Sequence, residues 1–431
     1  MTHLRRMIPI IGILLAAGLQ TSVAEGQFMA GASKKSIHPE LPIPISGGMG
    51  IPNMANESRG ELTARAVAVA NGETRIVICA VDLLGYPSVL CDRVRAKVKG
   101  VPPENILIGA THTHSAPDTY AFPDGRGGHT GNLDYIDFTV EQTAAAIQEA
   151  IDSLQPAVFR AATGIAEGKI AYNYYAPDLY DRRMSVLQAQ SRTGETIFTL
   201  VNYAIHPEVL GNRRGIVSPD LAGPMCDKLE ADLGGMGLLM NGALGGMVTA
   251  DNRILDQPRD PLKGYWSDER SWEECIRIGQ LMASEAQRLI SDATVQTDPK
   301  LVCLSKPVSF PVDSDLLWQV FLHSPLNYNS DRGERVVTVP INLVNLGDCQ
   351  MVTIPGEALP NIGFYLKRNM KGNHQLLFGL TNDAFGYILT KVDFNSFPRY
   401  DYVSRTSLGE MTGEILIENI LELVEQSPEP E

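Results

Sequence analysis

A chain of 431 residues, 44% hydrophobic and 20% charged, has the apolar content to build a core, which excludes a mainly disordered protein. Its 36 basic against 50 acidic residues leave a net charge of −14. That balance excludes nucleic acid as a partner and excludes simple electrostatic attraction to anionic lipid.

The first segment, residues 1–24, reads as a secretory signal. Arg5 and Arg6 precede an apolar stretch from Met7 to Gly18, and Ser22-Val23-Ala24 offers small residues for cleavage. The expectation is an exported, periplasmic or secreted protein whose residues 25–431 form a catalytic unit. No later apolar run is long enough to span a bilayer, so no membrane span is expected after cleavage. None of the six cysteines forms a CxxC pair, which argues against a cysteine zinc site. An export route permits disulfides, and the spacing does not say whether any form.

Strands are expected at Ala64–Ala70 and Arg75–Val81, around the hairpin turn Asn71-Gly72. A helix over Pro87–Val98 and a strand over Asn105–Ala110 follow. The apolar spacing of Val140, Ala144, Ile147 and Ile151, with Phe138, predicts a helix over Tyr135–Leu154. Ala157–Ala162, Met184–Ala189 and Thr196–Ala204 read as strands, Leu221–Leu233 as a helix and Met236–Met240 as a strand. Trp272–Ile290 is a second long helix. The last third offers strands at Leu301–Val312, Val336–Leu346, Met351–Ile354 and Gln375–Leu380, with helices at Ala358–Arg368 and Gly409–Glu425. Gly125–Gly131 is a glycine-rich loop, and Asp256–Asp268 a polar insertion. Alternating helices and hairpins imply an α/β fold of mixed α+β kind, with mixed β-sheets and flanking helices.

Chemistry-bearing residues cluster at strand ends. Thr111-His112-Thr113-His114 follows the strand Asn105–Ala110. Residues two apart in an extended chain share a face, so His112 and His114 project together, as metal ligands or as loop residues satisfied by hydrogen bonds. His206 ends another strand, and Pro207 restricts its backbone to extended geometry. Ser218-Pro219-Asp220 reads as the capped start of the helix at Leu221, with a supporting role at a site as the second reading for Asp220. Asn241-Gly242-Ala243-Leu244-Gly245-Gly246 is a glycine-rich turn, in which Gly245 and Gly246 are a tight turn or a loop presenting N–H groups to an oxyanion or substrate. Glu357, after Pro355-Gly356, is placed at a helix start, as a metal ligand or a partner of the helix dipole. Tyr387 follows Leu380-Thr381-Asn382 and reads alone as a packing residue.

In this order, THTHSAP, HPE, SPD, NGALGG, PGE and GLTN…GY resemble the catalytic domain of the neutral/alkaline, non-lysosomal ceramidase family. The resemblance implies a ceramidase-like domain holding one zinc ion on His112, His206, Glu357 and Tyr387. It implies that His114 lies beside the metal and helps bind the scissile carbonyl of a small-molecule or lipid-like amide. The family's Gly-Asp-Val-Ser segment stands here as Gly245-Gly246-Met247-Val248, so a serine nucleophile is absent unless Thr249 replaces it. The family's arginine near Asn173 stands as Tyr174, with Arg182 or Arg183 as substitutes. The chain leaves no room after about residue 426 for the family's immunoglobulin-like C-terminal domain. A zinc amidohydrolase is the leading expectation, ahead of a catalytically silent binding protein on the same scaffold or a zinc esterase.

Overall fold

The structure is a computed structural model that describes residues 26–256, 266–328 and 330–431. The expected signal, residues 1–24, and most of the polar insertion lie outside those residues. Eight strands make the large sheet: β1 (Met29–Ser36), β2 (Thr63–Asn71), β3 (Thr74–Val81), β4 (Ile106–Ala110), β5 (Gln155–Ile165), β6 (Arg183–Ser191), β7 (Thr196–Tyr203) and β8 (Met236–Asn241). Their spatial order is β8-β7-β6-β5-β1-β2-β3-β4, antiparallel except for the parallel pairs β7·β8 and β3·β4. A second sheet runs β9 (Leu301–Pro311), β10 (Val336–Leu346), β11 (Cys349–Thr353) and β12 (His374–Phe378). The fold is therefore mixed α/β, as the sequence implied.

Side-chain alternation stacks the layers. Val67 and Val69 of β2 join Val344, Met351 and Phe378 in the core between the sheets. Ala64, Ala66 and Ala68, on the opposite face of the same strand, pack beneath helices α1 (Ser88–Arg95) and α2 (Leu133–Asp152). Helices α3 (Ala222–Leu233) and α4 (Trp272–Ile290) cover the β6–β8 half. On the far side of the second sheet lie α5 (Asp315–His323), α6 (Pro360–Asn369) and α8 (Thr412–Gln426), with α6 and α8 packed directly on it, while α7 (Asp401–Arg405) packs Val403 against Leu359, Tyr387 and Leu389. Among the described residues no helix is long and apolar enough to cross a membrane. All six cysteines are unpaired.

Most expected elements form. The hairpin closes at Gly72, whose φ of 58° suits glycine, and α4 begins at Trp272, capped by the Ser271 side chain. Two expectations are corrected. The helix expected from Ala358 starts at Pro360, because Glu357-Ala358 instead pairs as a short parallel strand with Tyr387-Ile388. Ser218-Pro219-Asp220 does not cap a helix in the expected way, since α3 begins at Ala222 after a turn in which Asp220 has a φ of 54°.

The loop that follows β12 is fastened by Asn382. Its side chain accepts from Arg95 at 2.7 Å and donates to Asn342 at 2.8 Å, and its backbone N–H donates to Ile108. One buried amide thus joins α1, β4 and β10. Asn382→Ala removes one acceptor of the buried Arg95, which keeps Asp92 and the Ile106 carbonyl, and the donor to Asn342, and is expected to lower stability by about 1–3 kcal/mol, read from the midpoint of urea unfolding.

Candidate metal centre

Three histidines converge at the ends of β4 and β7. The ring atoms of His112, His114 and His206 that could hold an ion lie within 4.8 Å of one another. His112 sits just past β4 with a φ of 70°, a strained conformation held by its neighbours. Its N–H donates to the Leu83 carbonyl, and Nδ1 donates to the Leu84 carbonyl at 2.5 Å. His206 sits just past β7, where its N–H and its Nδ1, at 2.7 Å, both donate to the Val248 carbonyl. A carbonyl oxygen can only accept, so both rings carry their proton on Nδ1. Both Nε2 atoms then face inward, each offering a lone pair while the ring is neutral and a hydrogen-bond donor to a neighbouring carboxylate when the ring takes up a proton.

Those lone pairs meet a carboxylate. Glu357 places Oε2 at 3.1 Å from His206 Nε2 and Oε1 at 3.5 Å from His112 Nε2. All three side chains are buried. Burial by itself raises the Glu357 pKa, but the charge and hydrogen bonds of His112 and His206 outweigh it and hold the carboxyl well below its usual range. Burial likewise disfavours charge on His206, and the hydrogen bond and charge of Glu357 overcome it and raise that pKa. Three acceptor groups face one space, and a cation is what such a set accommodates.

His114 differs. It donates its backbone N–H to Pro207, tying the two histidine segments together. Nδ1 lies 3.8 Å from Glu208 Oε2, while Nε2 is buried with no hydrogen-bond partner. Burial pushes its pKa down to about 3 against the opposing charge of Glu208, so the ring is neutral. An orphaned buried nitrogen beside that cluster of acceptors is the second sign that the space fits an ion or a ligand atom.

Tyr387 is in register with Glu357 through the short parallel pair and lines the same cleft. Its hydroxyl donates to Met247 Sδ at 3.4 Å, a weak acceptor. Gly245 is not an oxyanion donor: its N–H is taken by the Ala358 carbonyl, and a Cβ there would collide with the Glu357 carbonyl. It is glycine so that the turn can pack against the Glu357 backbone. Gly246, with a φ of 66°, lies against Leu359. Asp220 touches none of the three histidines. It accepts from the N–H groups of Leu210 and Leu221 and so supports the chain leaving His206. Val248 buries its side chain in the core and offers only its carbonyl, and the Thr249 hydroxyl is bonded to Glu208. Arg183 is committed to Asp181, and neither it nor Arg182 lines the cleft. Arg270 instead stands by Glu208, its guanidinium 3.3 Å from the Glu208 carbonyl.

One positioning residue escaped the sequence reading. Asn241 donates to the Thr111 carbonyl at 2.6 Å and accepts from the Ile205 N–H at 3.2 Å, so it clamps the residues just before His112 and His206. It belongs to NGALGG, where the glycines drew attention away from the amide.

A cleft opens above the centre, lined by His112, His114, Glu357 and Tyr387. Leu84, Tyr120, Phe122, Val320, Phe321 and Phe385 give it mostly apolar walls. No known family model and no curated protein matches this sequence. Solved structures do match. The neutral ceramidase from Pseudomonas aeruginosa superposes with a TM-score of 0.75 at 17% identity, covering 94% of this chain and 76% of that one. A ceramidase complexed with C2 matches at a TM-score of 0.72, with the same identity and coverage. The protein thus combines a mixed α/β fold of packed sheets and helices with a candidate metal centre. More particularly, its fold is that of the bacterial neutral ceramidases.

Asp220 offers a pH test. Burial raises its pKa to about 6, against hydrogen bonds from Leu210 and Leu221. A carboxyl whose folded pKa lies above its unfolded one stabilises the fold at low pH, and that contribution disappears as pH rises through about 6. Stability should therefore fall by about 1–3 kcal/mol between pH 4 and 7 from this group. Asp220→Asn should flatten that limb in unfolding curves collected across the range.

Proposed function

We propose that the protein is an exported zinc-dependent amidohydrolase acting on an N-acyl amide with an apolar chain. The supporting observation is the inward convergence of two Nε2 lone pairs on the Glu357 carboxylate beneath an apolar cleft. In this reading residues 1–24 are the export signal and residues 25–431 the catalytic unit.

His112, His206 and Glu357 hold the ion, with Tyr387 as fourth ligand once its hydroxyl leaves Met247. Zinc bound there supplies an acidified water and polarises the substrate carbonyl. The chain's residues do the rest. Leu84 and Val248 fix the tautomers of His112 and His206 through their carbonyls. His114 lines the cleft with no protein partner at Nε2, and in the tautomer protonated there its N–H can donate to the scissile carbonyl oxygen as negative charge develops. Glu208, beside Nδ1 of His114, favours the charge that ring takes up when it handles a proton. The aromatic walls exclude water and bury the acyl chain. Ceramide is one member of the substrate class that such a cleft would take.

The Val248 side chain, buried where the resemblance expects serine, favours the competing view of a silent scaffold. Metal content separates the two. Elemental mass spectrometry of the purified protein should find about one zinc per chain, lost in His206→Ala together with amide hydrolysis. A metal-free wild type after zinc loading would support the silent scaffold. Val248→Ala should lower stability by about 1–3 kcal/mol yet leave kcat within about twofold, because only its backbone serves the centre. A kcat loss of a hundredfold with the fold intact would contradict that assignment.

A further inference from the structure

A second, polar pocket lies across His114 and Tyr387 from the apolar cleft, and of its walls only Glu208 enters the chemistry above. Tyr172, Tyr174, Glu208, Asn252, Asp268 and Arg270 line it. Two side-chain contacts divide the two spaces. His114, in the cleft, faces Glu208, in the pocket, at 3.8 Å, and Tyr387, in the cleft, donates to Met247, in the pocket, at 3.4 Å. The first is too long for a hydrogen bond. The second ends on a thioether, a weak acceptor carried by a flexible, unbranched side chain. When the Tyr387 hydroxyl turns to the centre, Met247 loses its partner and is free to swing from the path. The other walls are braced. Arg253 grips Asp251 through two bonds of 2.8 Å and lays its guanidinium 4.0 Å from the centre of the Tyr172 ring, and Asn252 donates to the Glu269 carbonyl. The pocket also sits where the chain departs from the ceramidase pattern. Tyr174 stands in place of the expected arginine, and Met247 lies in the segment that replaces Gly-Asp-Val-Ser.

The lining selects the ligand. Glu208 and Asp268 set two carboxylates against the single guanidinium of Arg270, which Asp268 already engages at 3.2 Å. A carboxylate or phosphate head is therefore repelled. The carboxylates accept, while Arg270 and the tyrosine hydroxyls donate; a hydroxyl group does both and suits such a mixed set. A hydrocarbon chain would leave the same groups without water or partner. We propose that this pocket takes the amine half of the substrate, and that this half is compact and rich in hydroxyls, an aminopolyol or amino sugar rather than a second hydrocarbon chain. The proposal rests on the hydrolase reading and names the half of the substrate that reading leaves open. The acyl chain lies in the apolar cleft, the scissile carbonyl at His114 and the amine beyond Met247. Hydrolysis adds the elements of water across the C–N bond, which leaves a carboxylate in the cleft and an ammonium ion in the pocket, beside Glu208 and Asp268.

The test compares N-decanoyl-glucosamine with N-decanoyl-decylamine in zinc-loaded wild type, Arg270→Met and Tyr174→Ala. Both side chains are exposed, so the variants should keep the fold, as the urea midpoint will show. The ratio of kcat/KM for the glucosamine amide over the decylamide should exceed about one hundred in wild type and fall at least about tenfold in each folded variant, because a site built to hydrogen-bond hydroxyls rejects an analogue that lacks them. Calorimetry with methyl glucoside, a neutral polyol with no amide to cleave, should show Kd raised at least about fivefold in each variant. A ratio near or below one in wild type would overturn the polar subsite and leave the hydrolase reading standing. An unchanged ratio in both folded variants would also overturn it. No hydrolysis of either amide, with methyl glucoside bound and that binding weakened in the variants, would overturn the hydrolase reading and sustain the pocket. Neither hydrolysis nor methyl glucoside binding would overturn both.

Discussion

Two imidazole nitrogens and a carboxylate, each an acceptor, face one another in a buried space, and much of the architecture around them prevents them from turning away. His112 and His206 cannot rotate without breaking the bonds from Nδ1 to Leu84 and Val248. The parallel pairing with Tyr387 fixes the Glu357 backbone, and His206 and His112 hold its carboxylate. Lone pairs held at such separations in a medium of low polarity need a proton or a metal ion between them. Such a cluster could hold a metal ion with little rearrangement of its side chains.

The sheets supply the rigidity. β4 and β7 deliver the histidine segments from different parts of the large sheet, and the second sheet delivers Glu357 just beyond β11. Buried amides bind these ends together. Asn241 holds Thr111 and Ile205, and Asn382 holds β4 against the second sheet and α1. Such side chains stabilise little individually but leave a buried partner unsatisfied when removed, so the positions they join are strongly specified.

Several elements were legible because their local pattern and tertiary fate agree. The hairpin at Gly72 and the amphipathic α2 and α4 need only periodicity and caps. Strand β1 showed little signal, because its small and polar residues suit a strand packed tightly under α2. A Cβ on its Gly31 would collide with the Ala150 carbonyl of that helix. The apolar run of α5 was not assigned at all. The error at Glu357 has a different origin. A Pro-Gly turn followed by helix-forming residues reads locally as a helix start, but the pairing partner, Tyr387, lies thirty residues away along the chain. Asp220 misled for a similar reason, since the N–H groups it accepts from include Leu210, outside the helix it precedes.

The sequence by itself determined the donor types, their place at strand ends and their order along the chain, because these follow from residue chemistry and strand periodicity. It also excluded a basic, nucleic-acid-binding surface. Only the tertiary structure decided which imidazole nitrogen faces inward, which glycine packs instead of binding, and which side chains wall the cleft above the histidines. Those outcomes depend on backbone carbonyls and side chains brought together from distant segments, and a hydrogen bond is set by the partner that arrives, whose identity no local pattern encodes.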